Sequence, residues 1–77
     1  WIIGTAATAE ATIHTTDLVR PLALVLGGEG SGMRQNVQAQ CDHVVRIPLH
    51  GHVESLNVSV AAGICLFEVR RQRGVAL

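Results

Sequence analysis

The hydrophobic positions of this chain gather into short unbroken runs. Trp1 to Thr5 reads as one strand, Leu22 to Leu26 as a second and Val44 to Ile47 as a third. Apolar runs without alternation fit strands covered on both faces, as in parallel sheets. Pro21 marks the boundary before the second run, and Pro48 ends the third. Between them, Met33 to Gln40 is helix-compatible, with Met33, Val37 and Cys41 spaced by four on one face. Strand, short helix, strand is the parallel crossover unit, expected to be right-handed, and the connection has about the length such a unit requires. Ala6 to Arg20 is rich in Thr and Ala and poorly periodic. It reads mostly as loop, with room for a short helix around Ala9 to His14.

The last element is the clearest. Ser55 is placed to cap a helix N-terminus, although Val58 stands where the acid or amide of a capping box would be. The run through Val69 is apolar on nearly every face. Arg70, Arg71 and Arg73 then put positive charge at the helix C-terminus, and Gly74 serves as the stop. A helix apolar all round is expected to be buried on more than one side. One side is its own sheet. The other calls for a partner subunit or a part of the protein outside this sequence.

Two of the runs break into loops of glycine and small polar residues. The first loop is Gly27-Gly28-Glu29-Gly30-Ser31-Gly32, and the second runs from Pro48 through Asn57. Glycine lets a ligand approach the backbone closely, and two such loops near each other in sequence suggest one shared site.

Length and charge narrow the classes. At 77 residues and 48% hydrophobic content the chain is one domain at most, near the lower limit for a self-sufficient core. It opens on Trp1-Ile2-Ile3 with no initiator Met, which reads as a piece of a longer protein. No basic region precedes that apolar run, so it does not read as a secretory signal. The longest nearly apolar stretch, Val58 to Phe67, is about half of a bilayer span. Net charge is zero, so no global field attracts nucleic acid. All six basic residues are Arg, scattered and without interleaved aromatics. Two cysteines, Cys41 and Cys65, lack any short metal or redox spacing, and a reduced cytoplasmic setting fits best.

The chemistry-bearing candidates sort by what their spacing permits. The first glycine loop is not a phosphate loop, because Met33-Arg34 follows where Lys and a hydroxyl residue would stand. Nor is it a dinucleotide fingerprint, whose third glycine would fall on Met33. Cys41, His43, His50, His52 and Cys65 lack the paired spacing of a structural zinc site, so no metal is expected. Cys41 beside Asp42 and His43 reads as a buried structural thiol in preference to a nucleophile. Glu54, Ser55 and Asn57 sit where the second loop meets the last helix. A hydroxyl and an amide near exposed backbone donors suit a polar ligand.

Taken together, Leu24 to Arg34, Cys41-Asp42, Ile47 to Gly63 with Ser55-Leu56-Asn57-Val58-Ser59-Val60-Ala61, and Arg71-Gln72-Arg73 resemble the motifs of the SpoU/TrmH branch of the SPOUT methyltransferases. The resemblance covers the chain from about Gly4 to Arg73. Its details are most similar to the bacterial members that methylate guanosines of large-subunit rRNA. It implies a parallel α/β fold with a C-terminal trefoil knot, of which residues 1–77 would be the C-terminal portion. The half with the first motif would lie upstream.

The resemblance further implies S-adenosylmethionine as methyl donor, a ribose 2′-hydroxyl of RNA (rRNA ahead of tRNA) as acceptor, and a homodimer. It assigns Gly27, Ile47 and Leu56 to cofactor contact. It assigns Glu29, Ser55 and Asn57 to supporting roles in the active site, orienting and hydrogen bonding. The Arg to which the family's proton removal is attributed belongs to the first motif, and no Arg of this chain sits in such a motif. The competing expectation is a catalytically silent knotted module that binds cofactor or dimerises.

Overall fold

The computed structural model describes residues 1–27, 34–50 and 57–74. Its centre is a single short strand. β1 (Ile2–Thr5) pairs in parallel with β3 (Ala23–Val25) on one side and β4 (His43–Arg46) on the other, and β4 pairs in parallel with β2 (Ala11–Thr12). The sheet order is β2-β4-β1-β3. Two helices complete the described chain: α1 (Gln35–Gln40) between β3 and β4, and α2 (Val58–Arg73) at the end.

The central position of β1 follows from its composition. Ile3 has no exposed surface and Gly4 is also buried, so the strand accepts neighbours on both edges. Asp42 fixes the approach of β4. Its carboxylate accepts from the Ile2 N–H at 2.7 Å, while its own N–H donates to the Ile2 carbonyl at 2.8 Å. At the other end of the strand the Ala6 N–H donates to the Val45 carbonyl.

The run Leu22 to Leu26 departs from its expected double coverage. Among the described residues β3 is an edge strand, with Ala23 exposed and Leu24 and Val25 only half-buried. Leu22, Leu24 and Leu26 still pack against the core.

The segment expected to be loop or short helix around Ala9 to His14 contains a strand instead. β2 is held by β4, and the Ile13 N–H donates to the Arg46 carbonyl. The Thr12 carbonyl closes the turn that follows β2, receiving the Thr15 N–H and the hydroxyls of Thr15 and Thr16. Beyond this turn, residues 13–22 cross the whole sheet to reach β3.

α1 is shorter than the Met33–Gln40 expectation. Met33 lies outside the described residues, and Arg34 is the N-cap. None of the helix is fully buried. Val37 and Cys41 are half-buried, and the Cys41 thiol donates to the Val37 carbonyl, so Cys41 is a partly covered thiol and not a buried one.

α2 starts at Val58, with Asn57 as its N-cap: the Asn57 side chain accepts from the Ser59 N–H at 2.8 Å. The cap expected at Ser55 lies outside the described residues. Gly74 ends the helix in the left-handed conformation (φ 68°), which favours glycine, and Arg70, Arg71 and Arg73 fill the last turn.

Cys65 and Val69 of α2 join Ile3, Ile13, Leu18 and Val45 in one core. Burial pushes the Cys65 thiol above its ordinary range. The expectation of burial on more than one side is met on one side only among the described residues. Val58, Val60, Leu66 and Phe67 are exposed.

Candidate functional site

In a parallel sheet all strands end at the same edge. The register around β1 makes that concrete: Gly4 faces Val25 of β3 on one side and Val44 of β4 on the other. Two strand spacings separate those partners, about 10 Å. Gly27 follows β3 by two residues, and Ile47 follows β4 directly. The chain therefore brings Gly27 and Ile47 out on the same edge, on either side of β1. Both are half-buried, and Leu26 and Ile47 pack against the same core.

The third described candidate, Asn57, is located by the direction of α2. Residues 13–22 travel from the end of β2 to the start of β3, from the C-terminal to the N-terminal edge of the sheet. Along α2, Glu68 meets His14, Gln72 meets Thr16 and Leu18, and Arg73 meets Leu18 and Arg20. The helix thus runs in the same sense as this segment and antiparallel to the strands. Its N-terminus points toward the edge where Gly27 and Ile47 emerge, about 16 Å from Glu68 at 1.5 Å per residue. The burial pattern agrees. Cys65, Glu68 and Val69 are buried, whereas Asn57 to Val60 are exposed. Glu29, Ser55 and Leu56 lie outside the described residues.

This edge combines open backbone with apolar surface. Gly27 offers no side chain, Leu26 and Ile47 offer half-buried apolar surface, and the chain there has left regular pairing. Asn57 adds a polar side chain at the helix start, with its Oδ1 committed to the Ser59 N–H. Among the described residues no group of three His, Cys, Asp or Glu is placed to hold a metal ion.

One cluster escaped the sequence reading. Glu68 is only 4% exposed, yet it is ionised. Arg71 donates to both of its oxygens at 2.8 Å, Gln72 donates to Oε2 at 2.8 Å, and His14 Nδ1 stands 3.4 Å from Oε1. The Arg71 hydrogen bonds lead, against the opposing effect of burial, in holding the Glu68 carboxyl down to about 2, and the same contact pushes Arg71 up. The available signal was spacing: Glu68 is the sole acid of α2, three residues before Arg71 and four before Gln72.

With this geometry in hand, comparison with known proteins is specific. The model of the SpoU rRNA Methylase family matches residues 1–67. The 23S rRNA (guanosine-2′-O-)-methyltransferase RlmB of Yersinia pestis is 53% identical over 75 residues, covering 97% of this chain and 30% of that protein. A crystal structure of an RNA 2′-O ribose methyltransferase superimposes with a TM-score of 0.90 at 38% identity, over 96% of this chain and 29% of the other. The SpoU methyltransferase AviRb from Streptomyces viridochromogenes, solved with AdoMet, matches with a TM-score of 0.87 at 32% identity, over 99% of this chain and 29% of that one. The chain spans about three-tenths of the length of these relatives. The parallel α/β fold is theirs, and the chain belongs to the SpoU rRNA methylase family.

Proposed function

We propose that residues 1–77 are the C-terminal portion of a knotted SPOUT methyltransferase domain. The whole protein transfers a methyl group from S-adenosylmethionine to a ribose 2′-hydroxyl of RNA, with rRNA ahead of tRNA. The observation that carries this reading is the common exit of Gly27 and Ile47 on either side of β1, in a chain 53% identical to a 23S rRNA guanosine methyltransferase. The silent-module alternative is not favoured, since the matched relatives are named as methyltransferases.

When bound, S-adenosylmethionine supplies an electrophilic methyl on a sulfonium centre. Gly27, Ile47 and Leu56 would hold it through backbone groups and apolar surface. Glu29, Ser55 and Asn57 would orient the acceptor and its hydrogen bonds. The protein's main contribution is to align donor and acceptor and to keep water out of line. Removal of the ribose proton falls to an Arg of the first motif, upstream of Trp1.

The exposed face of α2 supports a homodimer. Val60, Leu66 and Phe67 are 52%, 58% and 57% exposed around Gly63. A Cβ at Gly63 would meet nothing within 4 Å. Glycine inside a helix costs about 1 kcal/mol relative to alanine, and no packing among the described residues requires it. Close approach by a second copy of α2 gives it a reason. The setting proposed is the bacterial cytoplasm. No helix among the described residues is long and apolar enough to cross a membrane.

The test is methyl transfer from labelled S-adenosylmethionine to rRNA by the full-length protein, followed by mapping of the modified nucleotide. Label on a ribose 2′-oxygen is the expected result. Label on a base, or none with cofactor bound, would overturn the reading.

A further inference from the structure

The motif Arg71-Gln72-Arg73 is not among the residues assigned to methyl transfer, yet among the described residues it makes the densest set of contacts on α2. The Gln72 carboxamide accepts from the Leu18 N–H at 2.9 Å and donates to the Thr16 carbonyl at 3.0 Å and to Glu68 Oε2 at 2.8 Å. Arg73 donates to the Leu18 carbonyl at 3.3 Å and to the Arg20 carbonyl at 2.8 Å. These two side chains read four backbone groups of the segment that crosses the sheet and feeds β3. Glu68, buried and held by Arg71, braces the Gln72 amide from the helix side.

Among the described residues, the rest of α2 has little else to locate it. Its buried residues are Cys65, Glu68 and Val69, and apolar contacts at two positions tolerate sliding and rotation. Directional hydrogen bonds at Gln72 do not. A helix is stiff over this length, so fixing its far end fixes where its first turn falls.

Resting on the methyltransferase reading above, we propose that Gln72, braced by Glu68, is a positioning residue. It sets the register of α2 against residues 16–18 and thereby the place of Asn57 at the cofactor edge. Asn57 is about 22 Å from Gln72 at 1.5 Å per residue, so the effect is transmitted through the helix and not by contact.

The test is a double-mutant cycle in the full-length protein, with Gln72→Ala, Asn57→Ala and the pair, reading kcat, KM for S-adenosylmethionine and thermal unfolding. Misplacing a group by about 1 Å costs up to about a hundredfold. Gln72→Ala should lower kcat about tenfold with KM for the cofactor changed less than about twofold. In the Asn57→Ala background the further loss from Gln72→Ala should be less than about twofold, because the residue through which it acts is gone. Multiplying losses, or an unchanged kcat in Gln72→Ala, would overturn the proposal. If Gln72→Ala is unfolded at the assay temperature, Gln72→Met keeps the stem and removes the hydrogen bonds. Unfolding of that variant as well would also overturn it, since the amide would then be a requirement of folding. A wild-type protein that methylates no RNA defeats the functional reading instead, before any variant is compared.

Discussion

Asp42 and Ile2 exchange two hydrogen bonds, side chain to backbone and backbone to backbone, and so set how β4 lies against β1. The exchange stands at the opening of both strands, and the register Ile3↔His43 follows from it. Asp42→Ala should lower stability by about 1–2 kcal/mol, the low end for a hydrogen bond to a charged group because Asp42 is exposed. The urea midpoint of the full-length protein should fall with its slope unchanged. An unchanged midpoint would show that the strand pair holds its register without the carboxylate.

Asn57 has two roles that substitution can separate. As a cap it is worth about 1 kcal/mol. As an active-site group it should affect turnover more than cofactor affinity. Asn57→Ala should lower kcat with little change in the dissociation constant for S-adenosylmethionine. Asn57→Asp and Asn57→Ser keep an acceptor for the Ser59 N–H. They should recover thermal stability but not kcat. Full activity in Asn57→Ala would remove this residue from the site.

Glu68 ties stability to acid. Its carboxyl is held down to about 2 in the folded protein, against an ordinary value of 4.5. The unfolded chain therefore binds the proton more readily. The stabilisation is complete above about 4.5 and is lost as pH falls through about 2. Thermal midpoints measured from neutral pH downward should show this loss in the wild type. Glu68→Gln should start lower at neutral pH and show a shallower decline in that window. Parallel curves for the two proteins would place the acid sensitivity elsewhere.

The exposed stripe on α2 predicts an association that can be broken. If α2 pairs with a second copy as proposed, the full-length protein should sediment as a dimer, and Phe67→Glu should convert it to monomer, as should Gly63→Leu by blocking close approach. If the face is unpaired in solution, Gly63→Ala would instead raise stability by about 1 kcal/mol, the ordinary helix-propensity gain.

The 77 residues alone should not turn over. In the proposed reading, the Arg that removes the proton belongs to a first motif upstream of Trp1. Purified chain 1–77 should transfer no methyl to rRNA under conditions where the full-length protein does, and measurable turnover would show that the upstream group is dispensable.

What the sequence disclosed was what short-range chemistry decides. The strands around Ile3, Leu24 and Val45 were visible as apolar runs, and the helix stop was visible as Gly74 behind three arginines. The common exit of Gly27 and Ile47 was legible because parallel strands must end together. β2 was hidden, since two residues of Ala and Thr carry no periodicity and owe their strand to β4 more than thirty residues later. The Glu68 cluster was hidden for a related reason. Its partners within the helix followed a readable spacing, but His14, Thr16 and Leu18 come from far along the chain. The start of α2 was placed two residues early because Ser55 and Asn57 are both good caps, and nothing local ranks them.

The order β2-β4-β1-β3 has a consequence for how the chain comes together. Among the described residues β4 is the last strand in sequence, yet it occupies the slot between β1 and β2. Before it arrives β2 has no strand beside it, and the segment that α2 later grips has nothing to lie on. Of these four strands, only β1 and β3 can pair before β4 emerges. The pairing of β2, and with it the seat of the segment that α2 grips, must wait for Arg46 to emerge.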